Sequence, residues 1–278
     1  MADELEFEVD SLESRVMMAG DVSMRFSARG DLIVTGDGSS NHVQISSIIN
    51  NDRFVRAEGA FGTTINGANS VLLEAPQNLR QVRINLRGGS NTLSTSKLVA
   101  DKFMVKTGSG DDLIKLVSSG SVENGLTVNT GGGSDIISLE FTGSNDRLKV
   151  STGSGDDLVI LNNSAGNDKT DVALGSGRDV FFSSKSRYGD DFQIRAGGGI
   201  DFVSSVSDRF AGDVSLDGGG DADEILGAYP GAVSDIAGEF TTKRFEIVTQ
   251  PPNMVTFTGV LTSRVTQFDR YDDLIALP

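Results

Sequence analysis

Cysteine and tryptophan are absent from this sequence, histidine occurs once and proline five times. Without thiols there is no disulfide framework, so any fold must be held by a continuous core; the compartment stays open. His42, the one histidine, rules out every site that needs two imidazoles. No stretch approaches the ~20 apolar residues of a membrane-spanning helix, and membrane insertion is not expected. The acidic Met1–Asp10 and the short apolar run Val16–Ala19 do not read as a secretory leader. Basic residues are also few: 24 Lys and Arg stand against 39 Asp and Glu, a net charge of −15. Neutralising phosphates needs clustered Lys and Arg, so nucleic acid is excluded as a partner. The acidic balance suits a soluble surface, a cationic partner or bound metal ions. Sustained helical periodicity with caps is missing throughout.

Glycine, by contrast, occurs 34 times, and much of it falls in a repeat. Thr107-Gly-Ser-Gly-Asp-Asp-Leu-Ile-Lys-Leu116 and Thr152-Gly-Ser-Gly-Asp-Asp-Leu-Val-Ile-Leu161 are nearly identical, and Thr130-Gly-Gly-Gly-Ser-Asp-Ile-Ile-Ser-Leu139 lies between them. Apolar anchors two residues past the acid are Val71, Leu93, Ile114, Ile137, Val159, Phe181, Val203 and Ile225, in steps of 21 to 23. A second row, Ile84, Val105, Val128, Val150, Val172, Ile194 and Leu216, keeps the same register. So does a third: Val82, Phe103, Leu126, Leu148, Thr170, Phe192 and Val214.

Pairs such as Leu148 and Val150 read as a strand with one face inward. The Gly-x-Gly step supplies the positive φ of a sharp corner. A second short strand follows, as in Leu158–Leu161, and the polar stretch Asn162–Gly166 reads as a loop to the next turn. One such unit cannot bury its own apolar edge, but stacked copies share a core. The expectation is therefore an all-β fold, a right-handed parallel β-helix of about 22 residues per turn. Nine turns at ~4.8 Å each would make a rod of about 43 Å.

Residues 1–30 read as an N-terminal segment or cap, 31–227 as the repeats and 228–278 as an irregular C-terminal cap. A strand over Glu239–Val248 would cover the open end, and Tyr271–Leu277 would form a last turn or a folded-back cap. Asn41-His-Val43 reads as an early turn, with an insertion between it and Val71.

Two residues before each anchor stands one series: Asn41, Asn69, Asn91, Asp112, Asp135, Asp157, Asp179, Asp201 and Asp223. Stacked Asn side chains can hydrogen-bond along the axis, whereas ionised Asp side chains only accept. At ~5 Å each pair of neighbouring carboxylates repels by ~1 kcal/mol in water. Two readings relieve this. Either each Asp accepts backbone N–H bonds at its own corner, as in an Asx turn, with water screening the charge, or cations sit between turns. Gly108-x-Gly110 recurs every turn and opens no helix, so it is a corner and not a dinucleotide loop. His42 reads as a solvated loop position. Thr107, Thr130 and Thr152 stack, but Leu174 and Ala196 follow them, which makes a poor ice-binding array.

Thr130–Ser138 and Thr152–Ile160 match the calcium nonapeptide of the repeats-in-toxin family, Gly-Gly-x-Gly-x-Asp-x-apolar-x, at every place but the first. The resemblance implies a calcium cofactor held by Asp112, Asp135, Asp157, Asp179 and Asp201. That family carries the motif on both sides of each turn, whereas here one side has it. Leu12-Glu-Ser-Arg-Val-Met-Met-Ala-Gly-Asp21 resembles the LEPR-XLL motif, Leu-Glu-Pro-Arg-x-Leu-Leu, of large surface and secreted proteins of planctomycete-type bacteria. Ser14 replaces the proline, and Met17 and Met18 replace the leucines. This resemblance implies an extracellular or cell-surface location.

Regular turns with similar loops point to a non-catalytic structural or matrix protein, adhesin-like or fibre-like. Such a rod would self-associate end to end or laterally, or hold a cell-surface polysaccharide. The alternative is a β-helical polysaccharide lyase or glycoside hydrolase. Its best acids would be Asp111, Asp112, Asp156 and Asp157, but Tyr188, Tyr229 and Tyr271 are scattered where aromatic platforms would be needed.

Overall fold

Apolar residues two apart, followed by a glycine step, build the first of three parallel ladders. The computed structural model describes residues 20–48, 54–75, 79–117, 121–226 and 235–247. In it, strands such as Leu126–Gly132, Leu148–Ser154 and Thr170–Ser176 stack with Val128 against Val150 and Val150 against Val172. The second ladder stacks Ile136–Glu140, Leu158–Asn162 and Val180–Ser184, placing Ile137 on Val159 and Val159 on Phe181. No helix occurs among the described residues. The chain is a parallel β-solenoid whose turns lie about 22 residues apart, as the periodicity requires.

A third ladder runs where a polar loop was expected. The two-residue strands Gly143–Ser144, Ala165–Gly166, Arg187–Tyr188 and Arg209–Phe210 pair in parallel within a six-stranded sheet. Two residues are too few to show alternation, so the periodic signal of a strand cannot appear there.

All three ladders close on one core. Every residue of the row from Ile84 to Leu216 is buried, and in the neighbouring row Thr170 is buried in an apolar residue's place. A separate, smaller cluster forms on the outward side of the second ladder, where Leu113, Ile136, Leu158 and Val180 are also buried. Tyr188 lies inside, stacked on Phe210 with ring centroids 4.9 Å apart, its hydroxyl 2.7 Å from Ser183 Oγ.

The glycine corners are needed for space as well as for conformation. Gly131, Gly153, Gly175, Gly197 and Gly219 all have positive φ. A Cβ on any of them would fall on the carbonyl oxygen of the glycine one turn earlier.

The N-terminal end corrects part of the register. Val43 pairs with Leu93, while Val71 pairs antiparallel with Ala57, so Val71 and Asn69 are not rungs of the column. The strands Phe54–Gly59 and Ser70–Glu74 continue the second sheet antiparallel beyond His42–Ser47, and Asp21–Phe26 does the same for the first beyond Asp31–Thr35. Reversed strands interrupt the stacking repeat at this end, as protected sheet edges commonly do. At the other end, Phe240–Lys243 and Phe245–Ile247 pair in parallel with Val214–Gly219 and Asp223–Leu226. Of the strand expected over Glu239–Val248, residues 240–243 and 245–247 are therefore further rungs and not a cover, and Val248 lies outside the described residues. The LEPR-XLL-like residues up to Ala19, Tyr229, and the suggested last turn at Tyr271–Leu277 lie outside the described residues.

Two substitution pairs test this register. Val150→Asp buries an unpaired charge and should cost more than ~3 kcal/mol, whereas Lys149→Asp on the outward side should cost little. Gly197→Ala should unfold the corner that Gly198→Ala leaves intact, because Gly198 has open space around a new Cβ. Denaturant melts of the four variants check both contrasts.

Candidate functional site

The residue closing each Gly-x-Gly corner turns its side chain inward and reaches back one turn. Asp112 Oδ1 accepts the Asn91 N–H at 2.7 Å, Asp135 Oδ1 the Asp112 N–H at 2.8 Å, and Asp157 Oδ1 the Asp135 N–H at 2.8 Å. The series continues with Asp179, Asp201 and Asp223, each at 2.9 Å from the N–H one turn earlier. The expected acceptance of N–H bonds at the acid's own corner is thus replaced by a link between turns. Asp112, Asp135, Asp157, Asp179 and Asp201 do come together as one column, extended by Asp223 and, at its start, by Asn41 and Asn91.

The column is dry. All six aspartates are at most 2 % exposed. Their second arms are buried too, and Oδ2 of Asp179, Asp201 and Asp223 has no hydrogen-bond partner, while the hydroxyls of Thr107 and Thr130 act on the carboxyls of Asp112 and Asp135. The amides show what that place accepts. Asn91 Nδ2 donates to the Gly89 carbonyl at 2.8 Å and to Asp112 Oδ1 at 2.9 Å, and Asn41 Nδ2 donates to the Ser39 carbonyl at 2.7 Å.

Burial, partly offset by hydrogen bonds, pushes the carboxyls of Asp135 and Asp179 up to about 7 and that of Asp201 up to about 6. Asp112 and Asp223 are raised by the same cause.

Calcium takes six to eight oxygen ligands. Along this column one oxygen per turn is already committed to an N–H. No group of three or more acidic or imidazole side chains suited to a metal ion occurs among the described residues. The nearby threonines are committed as well: Thr107 Oγ1 donates to the Thr130 carbonyl at 3.0 Å and Thr152 Oγ1 to the Leu174 carbonyl at 2.6 Å. A calcium ion held by these acids would have to share Oδ1 with a backbone N–H or use Oδ2. The threonine row is buried, so it offers no flat outer array.

The outer acids make the opposite link. Asp111 Oδ1 accepts the Ser134 N–H at 2.7 Å and Asp156 Oδ1 the Arg178 N–H at 2.8 Å, each from the following turn. In the Asp-Asp pairs the inner acid therefore binds backward and the outer one forward. The four acids grouped in sequence as a catalytic cluster are split between core and surface. Tyr188, inside the core, offers no sugar platform. His42 is not in a loop: it opens the strand His42–Ser47 edge-on to Phe61, at 4.9 Å between centroids, and burial lowers its pKa.

A second side-chain column went unread in the sequence. Thr142, Ser164, Ser186 and Asp208 recur every 22 residues and are all buried. Asp208 Oδ1 accepts the Ser186 N–H at 2.7 Å, its Oδ2 accepts from Ser205 Oγ at 2.6 Å, and Ser186 Oγ accepts the Ser164 N–H at 3.2 Å. Their common spacing was the available signal, hidden because the residue type changes along the row.

No family model, curated protein or solved structure matches this chain. The functional reading therefore rests on its own chemistry. What the corner arrangement does is join turns: each acid satisfies a backbone donor that the ladders leave over.

Asp112→Ala would orphan the buried Asn91 N–H and should cost about 1–3 kcal/mol. Asp111→Ala, at an exposed position, should stay within about 0.5 kcal/mol. Urea unfolding of the two variants measures the difference.

Proposed function

We propose that this chain is a non-catalytic structural rod of the cell surface or extracellular matrix. One observation carries the reading: the acids that could do chemistry are used to bond one turn to the next. Asp112 and Asp157 are buried in the column, and Asp111 and Asp156 hold N–H groups of the following turn. The backward link of the inner acid recurs turn after turn. The surface and matrix setting is supported by the likeness of Leu12–Asp21 to the LEPR-XLL motif. Its work would be to hold surface loops at fixed spacing, with self-association end to end or laterally, or a surface polysaccharide, as the partner. Fold alone does not separate this from β-helical enzymes, so activity is the test. Incubation with acidic and neutral polysaccharides, with or without calcium, should give no new reducing ends and no unsaturated products. Turnover lost on Asp111→Asn or Asp156→Asn would instead make it a lyase or hydrolase.

A further inference from the structure

The carboxyl column poses a problem: six buried acids are stacked with one oxygen each bonded to an N–H of the turn before. Each Oδ1 takes an N–H from the turn before, and each second arm is buried beside backbone. At Asn41 and Asn91 that second arm is an amide nitrogen that donates to a carbonyl two residues earlier. At Asp223 the aspartate arm takes the same path: a Cβ built at Gly36 would meet Asn41 Nδ2, and one built at Gly218, also five residues before the acid, would meet Asp223 Oδ2. A donor is wanted there, and a carboxylate has none. A protonated carboxyl does, with the same shape as the amide.

We propose that the inner column is a stack of neutral aspartic acids, so that the rod is loaded with protons as it folds and loosens as pH rises. The Oδ2 hydroxyl takes the role of the asparagine Nδ2–H, and the axial repulsion of stacked carboxylates disappears. Surrounding charge favours this form. Asp111 adds negative charge beside Asp112, Asp156 beside Asp179, and Asp221 beside Asp201 and Asp223; Arg244 opposes, at Asp223. The upward displacement of Asp135, Asp179 and Asp201 agrees with it.

The sign follows from linkage. These groups have an unfolded pKa near 3.9 and a higher folded one, so the folded state binds the extra protons. Their stabilisation is complete below about pH 4 and is lost as pH rises through about 6 to 7. Asp208, also raised by burial, acts in the same sense. His42, lowered by burial, acts in the opposite one.

The test is the melting temperature of the whole chain from pH 4 to 8 in chelator, for the parent and for Asp135→Asn with Asp179→Asn. The parent should lose melting temperature as pH rises. The double variant should melt higher than the parent at pH 8, and its proton uptake on refolding near pH 5.5 should be smaller by about two. Difference infrared spectra of the parent should show protonated carboxyl groups at pH 6, and the double variant a weaker band. This band needs no variant to establish that protonated groups exist in the folded parent. A parent without that band, a melt that does not fall with pH, or a double variant no more stable at pH 8 would overturn the proposal. So would millimolar calcium raising the parent's melting temperature at pH 6 while abolishing the protonated band, which would place cations in the column.

Discussion

Register between turns is the constraint on which this structure depends. Parallel pairing at one fixed offset puts chemically equivalent residues directly over one another, and a unit that cannot bury itself alone becomes stable only in that alignment. Val128, Val150 and Val172 meet because of it. The glycine corners approach so closely, for the same reason, that a side chain there would strike the turn below. The links from Asp112 to Asn91 and from Asp135 to Asp112 span successive turns, so a slip of one residue would break both at once.

That alignment also concentrates what a globular fold would disperse. A residue type chosen for its corner is stacked upon itself, and for aspartate the result is six buried carboxyls in one file. The file begins with Asn41 and Asn91, whose amide nitrogens donate to a backbone carbonyl and to the next side chain without a charge. The outer acids, Asp111 and Asp156, keep contact with solvent and carry no such tension. Two neighbouring aspartates in the sequence thus occupy different electrostatic environments, one held in water and the other held by backbone.

Much of the fold was legible because three rows share one period. Leu148, Val150 and Val159 could be placed inward from spacing alone. Spacing also misled: Val71 stands 22 residues before Leu93, yet it belongs to an antiparallel insertion, and Asn69 went with it. A period counts residues without reporting chain direction. The third ladder was hidden by strands too short to alternate, and the column from Thr142 to Asp208 by its change of residue type. For the inner acids, position was readable and bonding was not. The sequence places Asp135 at a corner, but only the three-dimensional register shows that it serves Asp112's N–H and not its own loop. Whether Tyr188 faces inward could not be read either, since outward and inward positions in the short third strand cannot be told apart without the stack.

The equivalence of successive turns has a consequence for how such a chain can change. Because the contacts of one turn reproduce those of the next, copying or excising a single 22-residue unit between Leu126 and Val214 would recreate the same valine contacts, the same glycine apposition and the same carboxyl link at the new junction. Neither the core nor the two unlike ends would need redesign. Gene duplication within the repeat could thus act as a ruler, altering the reach of the rod in steps of about 4.8 Å while leaving its cross-section unchanged.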